Sequence, residues 1–350
     1  MKGILVLTLN VVALSCVLAG ASEAVTYEIY DLTPPGTFPS TFMPLNNRGE
    51  TVAFEPQPGG GYRMFFYNPI TQGQFPVGYM DIAIGDINDA RQITGRLRGG
   101  SGWPPVVLWD PVEGLIDLGT LGRDDERWAR SLNASGAVAG YATVPSGAAH
   151  AFYWTRATGM LDLGTLGGPT SSWGTGINDA GQVAGASDTA DGHTHPFIWS
   201  PGGTMHDLGL LGGYNGDAIG INNKGEVFGV SDVDGHTSGL FLWDQVNGMR
   251  ALFTWSFPDT YHPRAINDSG SIVGFGPGSS VFVWDPIEGL SFIENAGAYD
   301  INNAGQITGV IPGAWPWRNV LWNPVPEPSS LAALALAGGL AVLALRRKRR

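Results

Sequence analysis

The stretch GINDAGQVAG, at residues 176–185, decides the fold because it reads as a β-hairpin that returns along the whole chain. Ile177 ends one predicted strand, Asn178 starts a tight turn, and Gly181 supplies the positive φ that such a turn needs. Residues 182–185 form the returning strand. The spacing of the copies therefore gives the size of the repeating unit.

Seven copies of this hairpin follow one another, each with an asparagine at the turn. The asparagines are Asn46, Asn88, Asn133, Asn178, Asn222, Asn267 and Asn302. Their spacings of 42, 45, 45, 44, 45 and 35 residues are too long for one coil of a β-helix and suit a four-stranded propeller blade. Six copies keep the turn glycine, whereas the second copy has Arg91, which predicts a strained or rebuilt turn there.

Two further features complete the unit. The third strand ends in an aromatic residue that we interpret as packing between blades, at Tyr67, Trp109, Trp154, Trp199, Trp243, Trp284 and Trp322. An Asp-Leu strand follows in six copies, in three of them in altered form, but not in the seventh, and the same motif precedes the first repeat at residues 27–32. The sequence thus predicts an all-β, seven-bladed β-propeller of four-stranded blades, closed by an N-terminal strand that completes the last blade. An open array, the alternative, leaves that lone strand unexplained.

The N-terminal segment is typical of a secretory signal. Residues 1–21 combine Lys2 with an apolar run and small residues that place cleavage after Ala21 or Ala24, which implies signal peptidase as a partner. A lipoprotein signal at Cys16 is the weaker alternative, because Ala13 stands where a larger aliphatic residue is expected.

The C-terminal segment, residues 325–350, is a predicted sorting tail. An uncharged apolar segment at 331–345 and a basic end at 346–350 follow the motif Pro326, Glu327 and Pro328. As a helix, the apolar segment spans about 22 Å, less than the roughly 30 Å of a bilayer core, which favours a transient anchor over a permanent one. The basic end stays cytoplasmic, so the repeats lie across the membrane and touch it only through this tail.

Both regions resemble known families. The tail is similar to the PEP-CTERM sorting signal of Gram-negative bacteria, which implies an exosortase-type processing enzyme and delivery to the envelope, outer surface or extracellular matrix. The repeat region, residues 25–324, resembles the HAF family of extracellular bacterial repeats. Its His-Ala-Phe signature stands here as His150, Ala151 and Phe152 and, altered, as His195, Pro196 and Phe197. This second resemblance implies architecture and location only.

Charge and cysteine content exclude several functions. Residues 22–326 contain 13 basic and 30 acidic side chains, a net charge of −17, and Lys224 is their only lysine. Such an acidic surface is unsuited to phosphate backbones, so nucleic acid is excluded as a partner. The only cysteine, Cys16, lies in the leader, so the repeat domain has neither a disulfide nor a thiol nucleophile.

Candidate binding residues lie in the connections between strands. If the hairpin strand is innermost, the connections between strands two and three and those between blades emerge on one face. Aromatic and imidazole side chains outside the repeat pattern map there, and the candidates are Trp103, Trp315, Trp317, Trp128, Trp173, His193 and His195. Aromatic faces beside polar groups suit sugars or other flat ligands. For Trp128 and Trp173, five residues before their asparagines, packing at the start of the inner strand is an equal alternative.

No metal or other cofactor is assigned. Asp191, His193 and His195 are residue types that bind zinc or copper, but two imidazoles and a carboxylate in one loop do not supply four ligands. Asp188 with Asp191 could offer oxygen atoms to calcium, yet no complete ligand loop is present, so calcium stays unsupported.

The sequence contains no Gly-x-Ser-x-Gly, phosphate-loop or His-Glu-x-x-His motif, and no catalytic residue is assigned. We expect an exported surface or matrix binding module associated with exopolysaccharide. A propeller-type polysaccharide hydrolase or lyase, and a structural matrix protein without a tight ligand, are the alternatives. Paired carboxylates or a His–carboxylate contact near the ring axis would favour the hydrolase, and aromatic shelves without such a pair would favour the binding module.

Overall fold

Twenty-eight strands make up most of the chain that the computed structural model describes, namely residues 26–32, 38–39, 43–58, 62–98, 102–312 and 318–325. One short 3₁₀ helix, Pro277–Ser279, is the only helical element within these ranges. The described residues therefore include no helix long and apolar enough to cross a membrane. The predicted signal peptide, the motif at 326–328, and the apolar and basic segments of the tail lie outside the described residues.

The strands form seven antiparallel sheets of four. The first strand is β1, Thr26–Asp31. Blade 1 contains β2 Phe38–Pro39, β3 Thr51–Pro56, β4 Tyr62–Asn68 and β5 Gly73–Tyr79. Blade 2 contains β6 Ile82–Ile87, β7 Ile93–Leu97, β8 Val106–Asp110 and β9 Gly114–Asp117. Blade 3 contains β10 Arg127–Leu132, β11 Val138–Thr143, β12 Ala149–Thr155 and β13 Gly159–Asp162.

The remaining blades follow the same order. Blade 4 contains β14 Gly167–Ile177, β15 Val183–Thr189, β16 Thr194–Trp199 and β17 His206–Asp207. Blade 5 contains β18 Gly216–Ile221, β19 Val227–Asp232, β20 Thr237–Asp244 and β21 Gly248–Ser256. Blade 6 contains β22 His262–Ile266, β23 Ile272–Gly276, β24 Ser280–Asp285 and β25 Gly289–Ile293. Blade 7 contains β26 Gly297–Ile301, β27 Ile307–Ile311, β28 Arg318–Val325 and, as its fourth strand, β1.

The N-terminal strand closes the ring, as the sequence predicts. β1 pairs antiparallel with β28 over six residue pairs, from Thr26 opposite Val325 to Asp31 opposite Val320. The seven-bladed fold and its closure are thereby confirmed. Because the outer strand of blade 7 comes from the opposite end of the chain, the last blade joins both ends of the domain.

The hydrophobic core lies between neighbouring blades. Phe66 of blade 1 packs with Ile84 and Trp109 of blade 2 in one buried cluster, and equivalent clusters lie between other neighbouring blades. The repeated aromatic residues take part in this packing, since Tyr67, Trp109, Trp154, Trp199 and Trp322 are buried and Trp243 and Trp284 pack against buried clusters. In each blade this aromatic residue packs into the hydrophobic core, which indicates a structural role rather than a ligand site.

The seven hairpin asparagines form a closed ring of hydrogen bonds around the axis. Each Oδ1 accepts the backbone N–H four residues later, which fixes its own turn. Each Nδ2 donates to the backbone carbonyl of the corresponding asparagine in the next blade, at 2.9 to 3.3 Å, and Asn302 donates to Asn46 to complete the circle. All seven side chains are buried. The asparagine therefore links blades as well as forming turns.

A second, exposed set of contacts runs beside this ring. After the ring asparagine, the next residue donates its N–H to a side-chain oxygen of the equivalent residue in the following blade, as Asp179 does to Asn223, in every blade but one. Six of the seven contacts are present. The missing one would run from Asp89 to Ala134, which has no side-chain acceptor.

The turn of the second copy keeps the shape of the others. Arg91 occupies the glycine position with φ 58°, in the left-handed region, and its N–H donates to the Asn88 carbonyl as in the other turns. Of the two outcomes predicted for this turn, strained or rebuilt, the structure therefore shows the strained one, with a non-glycine residue at positive φ. The Arg91 guanidinium binds the Glu50 carboxylate at 2.7 Å and lies over the Phe75 ring, which holds the side chain.

We expect Asn178→Ala to lower the free energy of unfolding by about 3 kcal/mol, because it removes a donor from the buried Asn222 carbonyl and an acceptor from the Gln182 N–H. The control, Asp179→Ala, removes only an exposed contact and should cost about 1 kcal/mol or less. Urea titration measures both. Equal losses for the two variants would contradict a stabilising role for the inner ring.

Candidate ligand-binding rim

The antiparallel blades give the ring two faces with different contents. One carries the asparagine hairpins and the turns between third and fourth strands; we call it the hairpin face. In blade 1 these two turns touch, since Asn68 Nδ2 donates to the Arg48 carbonyl at 2.7 Å. The opposite face, here the loop face, carries the connections between second and third strands and between blades.

Exposed aromatic side chains are concentrated on the loop face. Among the described residues, the most exposed large aromatic side chains are Tyr62, Tyr79, Trp103, Tyr214 and Phe257. All five lie in or beside connections of the loop face. Phe257 is 90% exposed and Trp103 is 48% exposed, so both rings are open to a ligand. Together these five residues form what we call the aromatic rim.

Trp103 matches its predicted position at this rim. It lies between β7 and β8, and the Arg127 guanidinium of the next blade approaches its backbone carbonyl at 3.5 Å. Arg127 is itself buried and paired with Asp124. Trp315 and Trp317 lie outside the described residues, so their placement in the rim stays a prediction.

Trp128 and Trp173 are strand residues rather than loop residues. Trp128 pairs with Tyr141 across β10 and β11, and Trp173 pairs with Ala186 across β14 and β15. Both side chains are half-buried, and the Arg96 guanidinium lies 4.5 Å from the Trp128 ring centroid. Their half-buried side chains fit the packing alternative, with Trp128 at the start of β10 and Trp173 in the middle of β14.

The two predicted histidines make separate contacts. The His193 ring lies 5.4 Å from the Tyr214 ring on the loop face, whereas His195 Nδ1 lies 2.8 Å from a carboxylate oxygen of Asp207. His150 makes the equivalent contact to Asp162 in blade 3, at 2.9 Å. These His–Asp pairs join third and fourth strands, away from the axis. No three potential metal ligands come together in the described part of the chain.

Sequence analysis missed Tyr62, Tyr79, Tyr214 and Phe257. The residues proposed from the sequence were tryptophans and histidines, so tyrosine and phenylalanine in the same kind of connection were not among them. Their position was the usable signal, because all four lie in or beside connections of the loop face. Tyr214 also provides the aromatic ring that lies beside the predicted His193.

A central cavity of about 310 Å³ contains a second missed group, two aspartates. Residues of all seven inner segments line it. Asp86 accepts hydrogen bonds from the backbone N–H groups of Ile87 and Leu132, the latter at 2.9 Å. Asp300 accepts from Ile301 and, at 2.7 Å, from Leu45. Each carboxylate therefore bridges its own blade to the next, two residues before a ring asparagine.

Both aspartates are half-buried at the cavity, and desolvation there raises the pKa of each carboxyl group. Desolvation raises the pKa of Asp86 to about 6, although the hydrogen bonds that its carboxylate accepts lower the pKa in part. The pKa of Asp300 rises to about 7, by burial and by repulsion from the Asp86 charge. The two groups sense each other across the cavity.

We expect the free energy of unfolding to fall as the pH rises from about 4 to about 7, because the unfolded chain has released these protons while the folded chain still holds them. Asp86→Ser with Asp300→Ser should flatten this dependence, since serine occupies the same position at Ser131. Denaturant titrations at several pH values compare the double variant with the wild type and with Asp259→Asn, a control at an exposed carboxylate. An unchanged slope in the double variant would contradict this assignment.

The comparisons with known proteins agree with the fold and with the tail. Among solved structures, the chain is similar to an oligogalacturonate lyase in complex with manganese, at 13% identity and a TM-score of 0.55, covering 87% of this chain and 94% of that one. It is also similar to a puromycin-hydrolyzing peptidase of Mycobacterium tuberculosis, at 11% identity and a TM-score of 0.51, covering 83% and 54% of the two chains. Such identities show the fold alone. No curated protein matches the chain.

Residues 324–350 match the PEP-CTERM protein-sorting motif, which confirms the prediction made from the order of motif, apolar segment and basic end. The chain therefore has the sorting signal of an exported surface protein of Gram-negative bacteria that exosortase processes. The resemblance of the repeats to the HAF family stays a prediction, as do the signal peptide and the domain boundaries at residues 21, 25 and 324.

Proposed function

We propose that this protein is a cell-surface or extracellular-matrix binding module whose aromatic rim binds polysaccharide. The observation that supports the proposal most directly is the concentration of exposed aromatic rings on one face. Water-exposed Phe and Trp rings leave apolar area unburied, and a sugar face can cover that area without requiring a deep pocket. An exported protein meets such polymers at the cell surface.

The distribution of the rings favours a long polymer over a small ligand. Tyr62 and Tyr79 belong to blade 1, Trp103 to blade 2, Tyr214 to the junction of blades 4 and 5, and Phe257 to the junction of blades 5 and 6. Rings on separate blades offer separate contacts, each weak alone and stronger when one chain spans several of them.

The charge of the domain narrows the class of polysaccharide. With a net charge of −17 over residues 22–326, the surface repels polyanions at low ionic strength. A neutral or amino-substituted polysaccharide therefore fits better than a uronate polymer. Hydroxyl groups of such a ligand would find polar partners at the rim, where the His193 ring lies against Tyr214.

A polysaccharide hydrolase or lyase is the second candidate, favoured by Asp86 and Asp300. Two interacting carboxyl groups near the ring axis, with pKa values of about 6 and about 7, could hold and transfer a proton. Their position argues for the binding module, because both lie two residues before the asparagine ring, at the hairpin end of the inner strands, away from the aromatic rim. A structural matrix role without a tight ligand is the remaining alternative.

The test is a panel of neutral, amino-substituted and acidic polysaccharides, with binding and turnover measured together. We expect saturable binding by the wild type and a loss of about 100-fold in the triple variant Tyr79→Ala, Trp103→Ala and Phe257→Ala, if each ring contributes about 1 kcal/mol. A second variant, Trp315→Ala with Trp317→Ala, tests the two tryptophans that the described residues do not include.

The matched control is Val112→Ala with Ile287→Ala, which removes exposed apolar side chains from the hairpin face and should leave binding unchanged. Equal affinity in the rim variant and the wild type would refute the rim as the site. Turnover that disappears in Asp86→Ser would establish the enzyme instead. Neither binding nor turnover on the panel would favour the structural role.

A further inference from the structure

The two ends of the propeller lie side by side on the hairpin face. β28 runs toward that face and ends at Val325, and β1 starts there at Thr26, its direct partner in the sheet. The sorting tail after Val325 and the segment before Thr26 therefore both join blade 7 where the other blades have the turn between their third and fourth strands.

The tail keeps this face close to any membrane that holds it. Only residues 326–330 separate Val325 from the apolar segment at 331–345. A chain of that length, fully extended, reaches about 20 Å. As long as the tail stays in the bilayer, the hairpin face of blade 7 cannot move farther than this from the start of the apolar segment.

Exposed aliphatic side chains surround the exit point. The turns between third and fourth strands place Ile70, Val112, Val246 and Ile287 at their tips, in blades 1, 2, 5 and 6. Val112, Val246 and Ile287 are 90 to 91% exposed. We call these four residues the apolar tips.

Each apolar tip is held in place by its own turn. The backbone N–H of the tip residue donates to a side-chain oxygen two residues earlier, from Asn68, Asp110, Asp244 or Asp285, at 2.8 to 3.0 Å. The turns are thus fixed with an aliphatic side chain pointing into solvent. Fixing the turn in advance lowers the conformational cost of contact with a partner.

The tips are distributed around the exit and not around the whole ring. Blades 1 and 2 lie on one side of blade 7, and blades 5 and 6 lie on the other. The equivalent turns of blades 3 and 4, opposite the exit, carry Ala157 and Gly202 instead. The apolar arc therefore is centred on the point where the tail leaves.

We propose that the apolar tips rest on the bilayer surface while the sorting tail is still attached, so that the propeller stands on its hairpin face with the loop face turned away. Tethering through a five-residue linker raises the effective concentration of the tips at the membrane, so weak individual contacts suffice. The acidic residue Glu288, next to Ile287, favours zwitterionic over anionic lipid. This inference does not depend on what the aromatic rim binds.

The orientation has a functional consequence. The aromatic rim would face away from the membrane throughout processing, and a polymer could reach it before the tail is cut. Cleavage would remove the tether, and four isolated aliphatic side chains beside acidic residues would then hold the domain only weakly. Release from the membrane would thus follow from processing without a change in fold.

The test uses the full chain with Cys16→Ser, which has no other cysteine, inserted into phosphatidylcholine vesicles. Single cysteines at Val112 or Ile287 carry an environment-sensitive fluorophore, and lipids with a nitroxide at the headgroup or upper acyl chain quench it. The controls are Ala157→Cys, exposed on the hairpin face far from the exit, Phe257→Cys on the loop face, and Ala335→Cys, which reports insertion of the tail.

We expect the fluorophore at positions 112 and 287 to show a blue-shifted emission and quenching by the nitroxide lipids. Fluorophores at positions 157 and 257 should show neither effect. Added anionic lipid should not increase the quenching at positions 112 and 287. In vesicles where position 335 is quenched, unquenched labels at 112 and 287 would overturn the proposal, because the tail would then be inserted without contact by the tips. Quenching at position 157 or 257 as strong as at positions 112 and 287 would contradict the proposed orientation of the propeller on the membrane. Shielding of the tips only in membranes that contain the processing enzyme would show that the partner is a protein instead.

Discussion

Seven buried asparagine side chains, each shared between two blades, are the interaction on which the rest of the structure depends. An asparagine amide can accept from its own turn and donate to the next blade at the same time, so one residue fixes both the hairpin and the spacing of the blades. Because Asn302 donates to Asn46, the hydrogen bonds close on themselves. Closure by β1 brings the first and last repeats into contact and makes that circle possible.

The ring separates two kinds of surface. On the hairpin face, the turns serve to hold neighbouring blades together and to lead both chain ends out at blade 7. The connections on the loop face take no part in the asparagine ring, and they carry the exposed aromatic side chains. The proposed membrane contact and the proposed polysaccharide site therefore lie on opposite faces of the propeller.

The repeated part of this architecture was predictable from the sequence, and the unrepeated part was not. Period and hairpin signature gave seven blades, and the lone motif at residues 27–32 gave the closing strand. The hydrogen bond from each asparagine to the next blade could not be predicted from the sequence, because Asn178 and Asn222 come into contact only in the folded ring. Asp86 and Asp300 were not predicted for the same reason, because the cavity that they share brings together residues more than 200 positions apart in the sequence. Phe257 was not predicted, because the candidate residues were tryptophans and histidines only.

Closure of the ring can be measured with one engineered disulfide. Glu28 and Asn323 are direct partners across β1 and β28, so Glu28→Cys with Asn323→Cys, in a chain carrying Cys16→Ser, places two thiols side by side. A closed ring predicts complete oxidation within a monomer, whereas Glu28→Cys with Ala157→Cys, on separate blades, should stay reduced. Free thiols in the partnered pair, or disulfides that form only between chains, would contradict the closed ring and support an open array.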